Sequence, residues 1–186
     1  ELPRIWQDLG IAGILDIPCG DFNWMQSIDL SSIDYIGGDI VEELIESNQN
    51  RYGRQGIRFI RLDITRETPP QSDLVLCRDL LVHFSYRHIR LALDRFLQSG
   101  ADYLMTTTFP NRQSNKDIAT GDWRPLNLQK APFFFPPPLE LLLEGCPEKG
   151  YEDKSLGLWR FADLEQCLKA EGPGCHPAAR QGRREG

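Results

Sequence analysis

The chain of 186 residues is long enough to bury a hydrophobic core, and 40% hydrophobic with 10% aromatic content excludes disorder throughout. A formal net charge of −6 argues against a nucleic-acid backbone as the main ligand, since phosphate binding depends on clustered Lys and Arg. No apolar run approaches the roughly 18 residues of a membrane span, and the first residues do not read as a signal peptide.

The first hundred residues alternate short apolar runs with helical patterns, the signature of βαβ units around a parallel sheet. Strands are predicted at "GILDI" (residues 13–17) and "YIGGDI" (35–40). A helix is then predicted over residues 41–52, with Val41, Leu44 and Ile45 on one face and Gly53 as its C-cap. "IRFIRLD" alternates polar and apolar residues, whereas "DLVLCRD" is nearly continuous apolar, as a central parallel strand should be. Ser85 is a suitable N-cap for the next helix, in which Ile89, Ala92, Leu93, Phe96 and Leu97 follow helical spacing before Gly100. "YLMTTTF" predicts a fifth strand over residues 103–109.

Beyond it the pattern changes, for residues 110–138 hold six prolines and end in "PFFFPPP", which suits neither a regular helix nor a central strand. Trp123, Phe133, Phe134 and Phe135 favour a packed loop over a free linker. "SLGLWRF" (155–161) predicts a further strand at the sheet edge, and residues 171–186 read as a disordered tail. Together these elements predict an α/β, Rossmann-like, doubly wound, mostly parallel sheet of about six or seven strands with helices on both faces, formed by residues 1–170 as one domain. The five cysteines, Cys19, Cys77, Cys146, Cys167 and Cys175, are scattered without a CxxC pair, so no metal site is expected and the setting reads as reducing and cytoplasmic.

In such a sheet, ligands bind outside the carboxyl ends of the strands. The stretch "LDIPCGDFNW" at the end of the first strand lacks the glycines of a dinucleotide loop, with Pro18, Gly20 and Asn23 at the three positions. Asp16, Asp39, Asp63 and Asp79 end the first four predicted strands, and Asp21 lies in the first loop. Any one of them suits a turn or a helix cap; together they are costly unless a cation or a set of hydroxyl donors answers them. Pyrophosphate is the wrong partner, whereas S-adenosylmethionine (SAM) has a sulfonium, an ammonium, ribose hydroxyls and no phosphate. The acidic residue ending the second strand is placed to accept ribose hydroxyls.

"ILDIPCGDFNW", "YIGGDI", "RFIRLDIT" and "SDLVLCRDLLVHF", in that order, resemble the class I SAM-dependent methyltransferases over roughly residues 11–109. The later "TTTFPNR" and "GDWRPLNL" look like segments of a bacterial group of methyltransferase-like proteins. The resemblance implies that Asp16 and Gly20, with Asp21, shape the loop around the methionine portion and that Asp39 and Ile40 lie at the ribose. It further implies that Asp63 and Ile64 flank the adenine, and that Arg78 and Asp79 close the site. Pro18 and Phe22 stand where the family's loop carries glycines, so a stiffer, more crowded loop is expected.

Methyl transfer is an in-line displacement that asks chiefly for alignment, with a base for a hydroxyl or ammonium acceptor. His83 in "LLVHFS" is the candidate base, against the alternative that it packs beside the cofactor or caps the next helix. Asp79 is a second candidate with an equally good structural reading. His88 is expected at the helix surface without a role, and Cys77 as a core residue rather than a nucleophile. The loop from Asn111 is expected to form an acceptor pocket, with Trp123 as a stacking face and Arg112 or Arg124 holding an anionic or polyhydroxylated substrate. Its alternative is a structural wrap. The expected product is S-adenosylhomocysteine (SAH), and the expected acceptor a small molecule or saccharide, with an oxygen nucleophile as one candidate for the methylated atom. A degenerate, non-catalytic SAM-binding module and an NAD-dependent oxidoreductase are the competing readings. Oligomeric state is left open.

Overall fold

A computed structural model describes residues 1–169. In chain order the elements are α1 (Leu2–Leu9), β1 (Gly13–Asp16), β2 (Asp34–Asp39), α2 (Glu42–Tyr52), β3 (Ile57–Arg61), β4 (Leu74–Cys77), α3 (Tyr86–Gln98), β5 (Tyr103–Thr108), β6 (Glu140–Leu143), β7 (Ser155–Arg160) and α4 (Phe161–Lys169). Single 3₁₀ turns at Met25–Ser27 and Leu81–His83 follow β1 and β4. The strands form one seven-stranded sheet in the order β3-β2-β1-β4-β5-β7-β6. β3, β2, β1, β4 and β5 run parallel, and β7 lies antiparallel to both β5 and β6. Strand order reverses between β1 and β4, so the carboxyl ends of β1, β2 and β4 open onto one crevice.

Alternation along the central strands divides the core between two faces. Leu74 and Leu76 of β4 join Ile14, Tyr35 and Met105 beneath Leu2, Ile5 and Trp6 of α1 and Ile45 of α2. Val75 and Cys77 face the other way, toward Ile89, Ala92, Leu93 and Phe96 of α3 and Leu164 of α4. Cys77 is fully buried there, and burial raises its thiol to about 12, so it is a core residue. Gly37 permits the close packing of β2 on β3, because a Cβ there would lie 2.6 Å from the Phe59 ring.

Ser85 caps α3 as expected, accepting the His88 amide at 3.3 Å. Gly53 follows α2 at φ −60, so it ends the helix without the left-handed conformation of a glycine cap. The strand expected at the edge, "SLGLWRF", is interior and buried; the edge belongs to β6, whose "ELLL" was not expected. Nor were α1 and α4 expected. The proline-rich segment is built into the core by Leu126, Leu128, Phe133 and Phe135, all buried. Among the described residues no helix is long and apolar enough to cross a membrane. The expected disordered tail, residues 171–186, lies outside the described residues.

Candidate functional site

The first loop folds back over the end of β2. Gly20, at φ +54, donates its N–H to Asp39 Oδ2 at 3.3 Å, while its carbonyl accepts Asn48 Nδ2 from α2 at 2.7 Å. Asp39 Oδ1 accepts the Val41 amide at 3.1 Å. Each oxygen of this carboxylate therefore keeps lone-pair capacity after one backbone bond. The Ile17–Pro18 bond is cis, and Phe22 is a buried aromatic packed 5.2 Å from both Tyr35 and Phe59. Phe22 thus fills the space beneath the loop. Asp21 is exposed and accepts the Asn23 amide at 3.0 Å, a turn-forming role that answers its charge locally.

Asp16 is wholly buried at the end of β1. Its Oδ2 accepts the Tyr35 hydroxyl at 2.7 Å, whereas Oδ1 is buried without a partner. Burial raises its pKa from 3.8 to about 7, opposed by the Tyr35 hydrogen bond and Arg78 and reinforced by Asp39. Arg78 spans the gap between the first loop and the β6–β7 connection: its guanidinium lies 5.3 Å from the Trp24 ring and donates from Nε to Glu144 at 2.5 Å. Asp79, at φ +59, receives Lys154 Nζ at 2.6 Å and the Thr107 hydroxyl at 3.3 Å.

The expected convergence of five unanswered carboxylates is corrected accordingly. Asp79 has Lys154, and Asp63 accepts the Thr65 amide at 3.0 Å and hydroxyl at 2.7 Å, with Arg66 at 3.4 Å. Burial works against the Asp63 charge, yet the Thr65 hydrogen bonds, with Arg66 and Arg61, hold its carboxyl below the usual range. Asp16 and Asp39 are left as the buried members of the set with capacity for a ligand, while Asp21 keeps Oδ2 at the exposed rim of the loop.

A cavity of about 310 Å³ opens at this edge. Its lining comes from the segments after β1, β2 and β3 (Pro18, Asp39, Ile40, Asp63, Ile64) and from those after β4 and β5 (Leu80, Phe84, His88, Thr120). His88 therefore belongs to the cavity wall, contrary to its expected surface position, and Nδ1 lies 2.8 Å from Thr120 Oγ1. No local signal in the sequence marks it, because Thr120 returns from 32 residues away. Lys154 and Glu144 were missed for the same reason.

His83 lies in the 3₁₀ turn after β4, and its Nδ1 is 3.0 Å from the Asp122 carbonyl. A carbonyl only accepts, so Nδ1 carries the proton and Nε2 the lone pair. Trp123, next in the chain, is 43% exposed and packs edge-on against Phe109 and Tyr151. Arg112 reaches the Gly150 carbonyl and stacks on Tyr151 at 5.1 Å. Arg124 does not face a substrate: it is buried and donates to the carbonyls of Lys116, Leu81, Val82 and Phe84 at 2.8–3.1 Å. Its demand for four acceptors fastens the loop to the 3₁₀ turn.

The sequence matches no protein-family model and no curated protein. Among solved structures, the methyltransferase domain of a bacterial Hen1 protein, CtHen1-C, superposes with a TM-score of 0.50 at 12% identity, over 57% of this chain and 62% of that one. Human N-acetylserotonin methyltransferase, solved in complex with SAM, superposes at 0.51 and 12% identity, over 63% of this chain and 38% of that one. The match spans less than two thirds of either protein. With the seven-stranded order and reversed β7, these likenesses define the fold as that of the class I methyltransferases, Rossmann-like α/β.

Proposed function

We propose that this chain binds SAM and transfers its methyl group to a small-molecule or saccharide acceptor, most simply at an oxygen. The observation that carries the reading is the pair of carboxylates at the ends of β1 and β2. Asp39 retains acceptor capacity at the cavity wall, as ribose hydroxyls require, and Asp16 has a buried oxygen without a partner beside the same loop. A cationic ligand that accepts no phosphate contacts suits both. Gly20 and Pro18 would border the methionine and ribose portions, and Ile40, Ile64, Leu80 and Phe84 supply apolar walls for a flat base.

SAM, when bound, supplies an electrophilic methyl carbon on a sulfonium. The chain's own residues would then align the acceptor and take its proton. His83, with Nδ1–H tied to the Asp122 carbonyl, presents Nε2 as the base; Trp123, one residue beyond Asp122, offers a half-exposed face on which a ring can stack. SAM held there would supply its methyl group to the acceptor oxygen with SAH as the leaving group, and His83 would take the hydroxyl proton. Lys154 engages Asp79 and so favours a structural role for that carboxylate over that of a base.

Calorimetric titration with SAH tests the cofactor reading, with NAD as control. Wild type is expected to bind SAH and not NAD, and Asp39→Ala to lose at least about tenfold in affinity with two hydroxyl contacts removed. Preference for NAD, or an unaltered Asp39→Ala, would refute the reading. Once an acceptor is in hand, His83→Gln should lower kcat by about 10²–10⁴ with SAH affinity intact.

A further inference from the structure

The cavity extends from Asp39 past the end of β3, and its far end is not closed by the acidic residue the sequence offers there. Both oxygens of Asp63 are already engaged, one by Thr65 and the other by Arg66. The lining supplied after β4 and β5 carries a polar group that nothing in the reaction uses. His88 is half-buried, lines the cavity with Thr120, and packs edge-on at 5.9 Å from Phe84, another wall residue.

The surrounding hydrogen bonds fix this ring. Thr120 Oγ1 accepts the Ser85 amide at 3.0 Å and donates to Ser85 Oγ at 3.3 Å, and Ser85 Oγ in turn accepts the His88 amide. Ser85 Oγ offers the threonine proton an acceptor, and in the matching tautomer the 2.8 Å contact runs from His88 Nδ1–H to Thr120 Oγ1. Nε2 then keeps its lone pair, and among the described residues no hydrogen bond engages it. Arg124 holds the loop that carries Thr120, since its guanidinium joins the carbonyls of Lys116 and Leu81.

We infer that His88 is a specificity-determining residue for the nucleoside base, its Nε2 accepting the exocyclic amine of adenine, with Thr120 as the residue that positions it. The inference rests on the cofactor reading above and adds to it a base-reading group supplied from α3 and the loop after β5. An adenine amine is a donor and matches a lone pair; the 6-oxo group of hypoxanthine is an acceptor and opposes one. A site built around such a bond discriminates more sharply by mismatch than by the strength of the bond itself.

Calorimetry with SAH and S-inosylhomocysteine decides. Wild type should prefer SAH by about tenfold or more, and His88→Ala should cut that preference to about twofold. His88→Gln, whose amide oxygen restores an acceptor, should recover part of the preference; Thr120→Val should lie between wild type and His88→Ala. Thermal unfolding of each variant without ligand guards against a folding defect, and for a variant that unfolds early the His88→Gln comparison carries the decision. A full preference in His88→Ala, or none in wild type, overturns the assignment while leaving the cofactor reading intact. Failure of wild type to bind SAH at all overturns the cofactor reading, and this assignment with it.

Discussion

A carboxylate with no exposed surface and one unpartnered oxygen makes Asp16 costly to ionise, and that cost sets the pH dependence of folding at the residue scale. Its pKa is near 3.8 in the unfolded chain and about 7 in the fold. Between those values the folded state holds more protons than the unfolded state, so this residue's contribution is full below pH 3.8 and is lost as pH rises to about 7. Asp16→Asn keeps an acceptor for the Tyr35 hydroxyl and removes the charge. The variant is therefore expected to gain stability over wild type by about 2–4 kcal/mol at pH 8, with little difference near pH 4. Urea unfolding at the two pH values measures it, and equal gains at both would exclude the titration of Asp16 as the cause. If Asp16 also answers the cofactor's cation, the same variant should bind SAM less well, a trade of function for stability.

At the scale of elements, the loop after β5 is held less by its prolines than by one buried guanidinium. Arg124→Ala would strip the guanidinium from the carbonyls of Lys116 and Phe84 and leave those of Val82 and Leu81 with only the amides of residue 124 and Phe84, and should cost about 3 kcal/mol. Arg124→Lys should recover only a minor part, since an ammonium cannot hold the planar fork geometry. Chemical denaturation of both variants tests this, and near-full recovery by lysine would show that charge alone suffices. Here the sequence was legible where the signal was local. The apolar runs located β1, β2, β5 and β7 within about a residue and β3 and β4 within about two at their carboxyl ends, and Ser85 marked the start of α3 because an N-cap acts within one turn. β6 was illegible because "ELLL" has only every other residue half-buried and lies between proline and glycine stretches that dominate the local pattern. The type and loop of Arg124 suit a substrate ligand and a structural wrap equally; that it is consumed by carbonyls of a turn some forty residues earlier is a tertiary fact. The candidate site divides in the same way. Asp39, Ile40, Asp63 and Ile64 could be placed at the strand ends from sequence, while His88, Thr120, Lys154 and Glu144 reach it only through folding.

For the whole molecule, the sheet order predicts where stability is concentrated. β1 and β4 are paired on both edges and covered on both faces, so their amides have no route to solvent short of disrupting the core. β6 has one partner, and Leu139 just before it and Leu141 and Leu143 within it are 47%, 45% and 65% exposed. Its connection to β7 is tied to the segment after β4 by partly buried ion pairs among Arg78, Asp79, Glu144 and Lys154, and the cost of desolvating such charges offsets much of their attraction. The β6 edge should therefore open in local fluctuations that leave the parallel half intact. In native-state hydrogen exchange, the Leu139 amide, which donates to the Leu158 carbonyl at 2.7 Å, should exchange on the order of a hundredfold faster than the amides of Val75 and Leu76. Comparable protection at the two places would mean that the edge unfolds only with the core and that the charged group binds far more tightly than exposed pairs do. Because Arg78 touches both the first loop and Glu144, SAH bound at the first loop should slow exchange at β6 as well, and Glu144→Gln should weaken that coupling without abolishing SAH binding.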